Sequence, residues 1–252
     1  MYLIFDTETT GLPKKWNAPI SDSENWPRCV QLAWQLHDNN GKLISHQSSI
    51  IKPDGFDIPF ESEKVHGIST VLANEIGENL NNVLEKFNSD LSKAKYIVGH
   101  NLKFDINIVG AEFFRLKIDN SLNKKNILDT CTEKTANLCQ IQGGRGKFKF
   151  PTLIELYKYL FNDDFQQAHN ASADVEATSR SFFELIRINN FNVNDFEDFN
   201  EIFNKLNSDT KDKVGLFGIK HLNLKEESKK IKKETKEKLS LIHISEPTRH
   251  LL

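Results

Sequence analysis

The run Tyr2-Leu3-Ile4-Phe5-Asp6-Thr7-Glu8-Thr9-Thr10-Gly11 decides the reading of this chain. Four largely apolar residues lead straight into an acid, a threonine and a second acid. Side chains alternate along a β-strand, so Asp6 and Glu8 share one face. Two carboxylates held side by side repel each other unless a positive charge sits between them. An all-oxygen donor set suits a hard divalent cation such as Mg²⁺ or Mn²⁺. Taken alone, the pattern also describes a strand that ends in a solvated acidic turn closed by Gly11 and Pro13. Acids further along the chain decide between the two.

Outward from this strand, Leu12 to Arg28 is an irregular loop with Pro13, Pro19 and Pro27, long enough to suggest a role. Val30–Leu36 alternates and predicts a second strand. Asn39-Asn40-Gly41 is a hairpin turn signal, and Leu43–Ile51 a third strand. The chain therefore opens as an antiparallel meander whose first strand carries the acids. Glu61–Val65 predicts a short helix, and Thr70–Ser92 a longer one with Val83, Leu84, Phe87 and Leu91 on one face. Tyr96–Val98 is a short buried strand, and helical spacing follows from Ile106 to Leu116. Ile127-Leu128 is the expected last strand, with Asp129-Thr130 placed to cap the next helix. Gly143–Gly146 reads as a flexible loop, Pro151–Phe161 as a helix, and Val175, Thr178, Phe182 and Leu185 as the face of a final amphipathic helix. Strands first, then strands mixed with helices, predict an α/β domain with a mixed five-stranded sheet flanked by helices.

Composition sets bounds. The chain has 252 residues, 38% of them hydrophobic and 10% aromatic, enough for one sizeable core. The net charge of −2 hides an asymmetry: Lys220–Lys238 holds eight Lys against four Glu, which leaves the preceding body at −6. An acidic body argues against unspecific coating of nucleic acid. The Lys/Glu run reads as a solvated helix or linker. Cys29, Cys131 and Cys139 form no CxxC pair, so zinc and disulfide frameworks are not indicated. The N-terminal apolar run is too short for a signal peptide, and no segment has the length of a membrane span. The expectation is a soluble, cytoplasmic protein with no membrane partner.

Two more acids stand in suggestive settings. Asp105 follows Gly99-His100-Asn101-Leu102-Lys103-Phe104, and Asp174 closes His169-Asn170-Ala171-Ser172-Ala173-Asp174. An acid in a first helical turn is ordinarily a partner for the helix dipole. A histidine on the loop before a helix and an Asp in its first turn can, however, aim at one point. In this order and context, Asp6, Glu8, Asp105, Asp174 and His169 resemble the DEDDh family of 3′→5′ exonucleases, over roughly residues 1–188. Three ordered motifs together are far more specific than any one.

The resemblance implies a ribonuclease H-like fold and two Mg²⁺ (or Mn²⁺) ions held by Asp6, Glu8, Asp105 and Asp174, with Asp6 bridging. It implies His169 as the acceptor of a proton from the attacking water; imidazole exchanges protons readily near neutral pH. Thr7, Thr9, His66, Asn101 and Phe104 would then contact the terminal nucleotide. The implied activity is release of nucleoside 5′-monophosphates from a free DNA 3′ end, single-stranded or frayed. Val65-His66-Gly67-Ile68-Ser69 resembles the epsilon-type proofreading nucleases. The Pro13–Pro27 loop and the Gly143–Gly146 insertion fit the variant fused to the N-terminus of some bacterial DNA polymerase III alpha subunits. A replicative polymerase acting in cis is the expected partner. Two alternatives stay open: a 3′→5′ exoribonuclease with the same acids, and a non-catalytic nucleic-acid-binding module, for which an acid should be missing and none is.

The expected organisation is an exonuclease domain over 1–190, a basic, partly helical connector over 191–238, and a tail over 239–252. Leu239–Arg249 reads like an in-frame translation of a sequencing adapter, so that tail is expected to be non-native.

Overall fold

The computed structural model of the protein describes residues 1–165, 167–191 and 221–244. The expected boundary near 190 and most of the connector touch residues 192–220, which lie outside them, as do residues 245–252 of the expected tail. Strands β1 (Tyr2–Thr9), β2 (Cys29–His37), β3 (Leu43–Ile50), β4 (Tyr96–Gly99) and β5 (Asn126–Asp129) form one sheet in the order β3-β2-β1-β4-β5. The β1–β2 and β2–β3 pairs are antiparallel, and β1–β4 and β4–β5 are parallel. The mixed sheet and the opening meander match the sequence-based expectation.

Helices cover both faces, which is why β2 is buried at every position although its sequence alternates. On one face Leu3, Phe5, Leu32, Trp34 and Leu36 pack under α3 (Leu80–Lys93) and α4 (Lys103–Leu116), which contribute Phe87, Leu91, Val109 and Phe113. On the other, Tyr2, Ile4, Ala33 and Val98 pack under α7 (Ala171–Arg187) through Val175, Phe182 and Phe183. The strand that carries the acids is therefore central to the sheet, with a helix at each face.

Several boundaries differ from expectation. The helix expected over Thr70–Ser92 is two, α2 (Thr70–Ile76) and α3, after α1 (Phe60–His66). They separate at Gly77, where Glu78 adds a bridge to Ile51 beside the sheet. A Cβ at Gly77 would lie 2.2 Å from the Ala73 carbonyl oxygen, so only glycine lets the chain turn there. Asp129 does not cap the following helix: Thr132 caps α5 (Glu133–Cys139), and Asp129 reaches back toward α4 instead. The helix α6 (Leu153–Phe161) starts two residues after Pro151, at a capping box of Thr152 and Glu155. Gly143–Gly146 is closed by a bond from the Gly143 N–H to the Lys147 carbonyl and a bridge between Gln142 and Phe148.

The Lys/Glu run forms α8 (Leu224–Ile244), and one face of it is docked rather than solvated. Leu224 is buried with Ile68, Leu72 and Ala73, and Ile231 packs beside them. The Ser228 hydroxyl donates to Ser69 Oγ at 2.8 Å, and Lys232 pairs with Glu63 at 2.5 Å. Gly67, in the left-handed region at φ 81°, sits so close that a Cβ there would be 2.5 Å from Lys225 Cγ. No helix among the described residues is long and apolar enough to cross a membrane.

Candidate active site

The register of β1 determines where the acids lie. β4 pairs with β1 only as far as Ile4, so Asp6 and Glu8 stand beyond the carboxyl end of the parallel pair. Ligands of open α/β sheets bind at such an edge. The even-numbered face of β1 that carries Tyr2 and Ile4 under α7 also carries Asp6 and Glu8. Asp174, in the first turn of α7, meets them: one carboxylate oxygen from each of Asp6, Glu8 and Asp174 lies within 4.8 Å of the other two. A register shift between Glu8 and Thr9 kinks the strand immediately after.

Asp105 comes from the opposite face, in the first turn of α4, and is buried. It lies outside the three-acid group because its Oδ1 accepts two bonds from Thr7, at 3.0 Å from the backbone N–H and 2.6 Å from the hydroxyl. Its charge still acts on Asp6. Asp129 sets its position, with one carboxylate accepting from the backbone N–H groups of Asn101 and Leu102, both at 2.9 Å, and of Cys131 at 2.8 Å. Asn101 takes the left-handed conformation at φ 62° that this turn needs.

His169 is exposed on the loop before α7, at φ 66°, and its backbone N–H donates to Asp174 Oδ2 at 3.0 Å. Asn170 caps α7, and a reciprocal amide pair joins that cap to β2. Gln31 Nε2 donates to Asn170 Oδ1 at 3.2 Å, and the Ala171 N–H donates to Gln31 Oε1 at 3.1 Å. Asn170 Nδ2 in turn donates to the Leu222 carbonyl at 2.9 Å.

Sequence reasoning missed Gln31 and Asp129 as positioning residues. Gln31 carried a signal, since it stands with Gln35 at matching phase in an otherwise apolar strand. A buried amide in such a strand has to find partners across the interface.

The electrostatics are those of crowded anions. Burial raises the carboxyl pKa of Asp6 well above its ordinary value, and Asp105, Asp174 and Glu8 add to the rise. Glu8 rises for the same reasons, burial first and then Asp174 and Asp105. Asp105 and Asp174 are each pushed up to about 7, chiefly by burial, against the hydrogen bonds that hold their charged forms. Among the described residues, no basic side chain is a main influence on any of the four. Converging, mutually repelling oxygen ligands with no protein cation between them fit a hard divalent metal.

Of the remaining residues expected to meet substrate, Thr9 donates its hydroxyl to the Gly11 carbonyl at 2.7 Å. Both threonine hydroxyls are thus engaged within the protein. His66 is buried, accepts from the Ile68 N–H through Nδ1, and has its pKa lowered to about 4 by burial, so it is neutral at neutral pH. It lies near enough to His169 and Lys225 to feel both. Phe104 is half-buried at the edge of the core, facing Trp16.

The family model for RNase T-type exonucleases matches residues 3–182. The chain belongs to the exonuclease family. Solved structures agree on the fold of this exonuclease. E. coli Exonuclease I in complex with a dT13 oligonucleotide is 22% identical, with a TM-score of 0.60, and the match covers 74% of this chain and 40% of that one. The zinc-bound E. coli Exonuclease I–single-stranded DNA complex is 21% identical, with a TM-score of 0.57, over 75% of this chain and 40% of that one. A product-bound exonuclease I is 20% identical, with a TM-score of 0.59, over 81% and 46%. The exonuclease thus spans less than half the length of these proteins. Comparison with curated protein sequences found no match.

Proposed function

We propose that this domain is a metal-dependent 3′→5′ exonuclease that removes nucleoside 5′-monophosphates from the 3′ end of single-stranded or frayed DNA. The observation that carries the reading is the convergence of Asp6, Glu8 and Asp174 within 4.8 Å, with Asp105 acting on them and, among the described residues, no cationic side chain as a main influence. A phosphodiester is a poor electrophile shielded by its own charge. Two bound divalent ions supply charge neutralisation for an in-line displacement at phosphorus. Asp6, Glu8, Asp105 and Asp174 are the residues that would hold them, with Mg²⁺ or Mn²⁺ favoured by the all-oxygen set. His169, exposed beside Asp174, takes the proton from the attacking water. The resemblance assigns His66, Asn101 and Phe104, with Thr7 and Thr9, to contact with the terminal nucleotide.

DNA is favoured over RNA by the oligonucleotide-bound exonucleases that share the fold. The role of proofreading for a replicative polymerase rests on the resemblance of the Val65–Ser69 segment and of the long Pro13–Pro27 loop. The test uses single strands labelled at either end, in Mg²⁺ or Mn²⁺. Stepwise shortening from the 3′ end to 5′-monophosphates supports the reading, and loss of label from the 5′ end refutes it. In the same assay His169→Ala is expected to lower kcat by roughly 10²–10⁴ with metal affinity little changed. Faster removal of a mismatched than a paired primer terminus supports proofreading, whereas equal rates or a preference for RNA ends would point to RNA trimming.

A further inference from the structure

The chain has three tryptophans, and two are core residues: Trp26 is 3% exposed and Trp34 fully buried. Trp16 is 54% exposed. It stands on the Leu12–Arg28 loop, which the acids do not use. That stretch of the loop is built to a fixed shape. Asn25, 5% exposed, accepts from the Lys15 N–H at 2.7 Å and donates to the Lys15 carbonyl at 3.0 Å. Its own carbonyl accepts from the Lys14 N–H at 3.2 Å. A buried asparagine thus clamps the two residues before Trp16 by their backbones and leaves their side chains in solvent. Within the loop Trp26 donates its indole N–H to the Pro19 carbonyl at 3.1 Å, and Arg115 holds the Trp26 carbonyl at 2.6 Å.

The indole lies beside the ring of Phe104, centroids 5.9 Å apart at 51°. Phe104 immediately precedes the site residue Asp105. Lys14, Lys15 and Lys103 are exposed, and none of their ammonium groups is paired with a carboxylate among the described residues. In a body that is otherwise net acidic, this is a local basic and aromatic patch next to an anion-cleaving centre. Flat aromatic faces with interspersed lysines are how proteins hold single strands without reading sequence.

We propose that Trp16, flanked by Lys14 and Lys15, is a stacking and phosphate-binding platform that delivers a single-stranded nucleic acid to the acidic cluster. This rests on the nuclease reading above. The indole takes the face of one base, and the lysines neutralise the phosphates on either side of it. Phe104 braces the indole from the side of the site. The position suits substrate capture rather than chemistry, because Trp16 offers no group that can hold metal or move a proton.

The experiment uses the full chain and 5′-fluorescein-(dT)8. Binding is read by anisotropy in an Asp174→Asn background, and cleavage in the wild-type background with Mn²⁺. Trp16→Ala is expected to raise both Kd and KM about tenfold with kcat changed less than threefold, and Trp16→Phe to recover most of the loss. Saturating (dT)8 should quench the fluorescence of the otherwise unmodified protein, since the other two indoles are buried. Lys14→Gln with Lys15→Gln should flatten the slope of log Kd against log salt by roughly 1.4, about 0.7 for each phosphate that is no longer neutralised. Unchanged affinity in Trp16→Ala overturns the proposal, as does a loss of several degrees in Tm that Trp16→Phe does not restore, which would mark Trp16 as a packing residue. A wild type that cuts (dT)8 but is indifferent to Trp16 sinks this proposal alone. One that neither binds nor cuts sinks the nuclease reading with it.

Discussion

At Thr7, one residue holds an acid from the far side of the sheet. Its N–H and hydroxyl both go to Asp105, while its neighbours Asp6 and Glu8 point the other way. Alternation along a single strand thus serves both faces of one site. The metal-free acids repel one another, so replacing one should stabilise the fold as it destroys function. Asp6→Asn or Asp174→Asn is expected to abolish Mg²⁺-dependent nucleotide release and to raise the metal-free Tm by a few degrees. A variant that keeps near wild-type rates would remove that residue from the metal site. The pH dependence has a defined sign. Asp105 and Asp174 titrate near 7 in the fold, and their unfolded counterparts near 4. As pH falls from 8 to 6.5, these two carboxyls take up protons in the folded state that they do not take up in the unfolded chain, which adds roughly 1–2 kcal/mol to metal-free stability. From about pH 7.5 downward His37 and His66, both held near 4 by burial, and His46 and His100, also lowered by burial, oppose the trend increasingly because the unfolded chain protonates first. Thermal melts across this window, with and without Mg²⁺, check it, and saturating metal should remove the carboxyl contribution between 8 and 6.5.

Among the elements, α7 carries most of the placement. Its interface with β2 is polar at its start, through Gln31 and Asn170, and again where the Ser179 hydroxyl donates to Gln35 Oε1 at 2.7 Å. Gln31→Leu leaves the Ala171 N–H without its partner and takes one of the two donors from Asn170 Oδ1, which keeps the Ser172 N–H. The expected cost is about 1–3 kcal/mol in urea unfolding. The turnover rate should fall by at least tenfold, since His169 and Asp174 both hang from that cap. Full activity in Gln31→Leu would show that the cap holds without it.

The elements also show what the sequence could and could not yield. Asp6 and Glu8 were legible because strand alternation is a local rule. Asp174 and His169 were legible because loop and first turn are adjacent in the chain. Asp129 was misjudged because a carboxylate at a strand end has two helix starts within reach, and only the parallel β4–β5 pairing selects the earlier one. The break at Gly77 was hidden because the apolar spacing runs on through it, and the bonds that hold the chain extended there, from the Lys52 N–H to the Glu78 carbonyl and from the Glu78 N–H to the Ile50 carbonyl, come from far away in sequence. The docked face of α8 was hidden because Leu224, Ser228 and Ile231 are a thin stripe among lysines and glutamates.

On the scale of the whole molecule, the described residues after 220 return to the exonuclease body. Leu222 accepts from the Asn170 cap, and α8 lies on α1 and α2 through Lys232, Ser228 and Leu224. Among the side chains that are described, its docked contacts fall before residue 239. Removal of 239–252 is therefore expected to leave Tm within about one degree of the full chain and the nuclease rate unchanged. Removal of 221–252 should lower Tm by several degrees and slow turnover, because the cap loses Asn170's bond to Leu222. Differential scanning calorimetry of the two truncations beside the full chain decides it. A drop in Tm on removing 239–252 alone would show that the last residues belong to the fold.

The span of the site along the chain also has a consequence in time. Asp6 is made well before its partners, on a strand whose parallel neighbour begins only at Tyr96 and whose covering helix begins only at Ala171. At 5–20 residues per second, roughly ten to thirty seconds separate the synthesis of the first acid from that of the last. A chain interrupted before Asp174 holds three of the four acids, and on the proposed mechanism it is expected not to cut. On the proposed mechanism, activity is expected only once nearly all of this domain has been made.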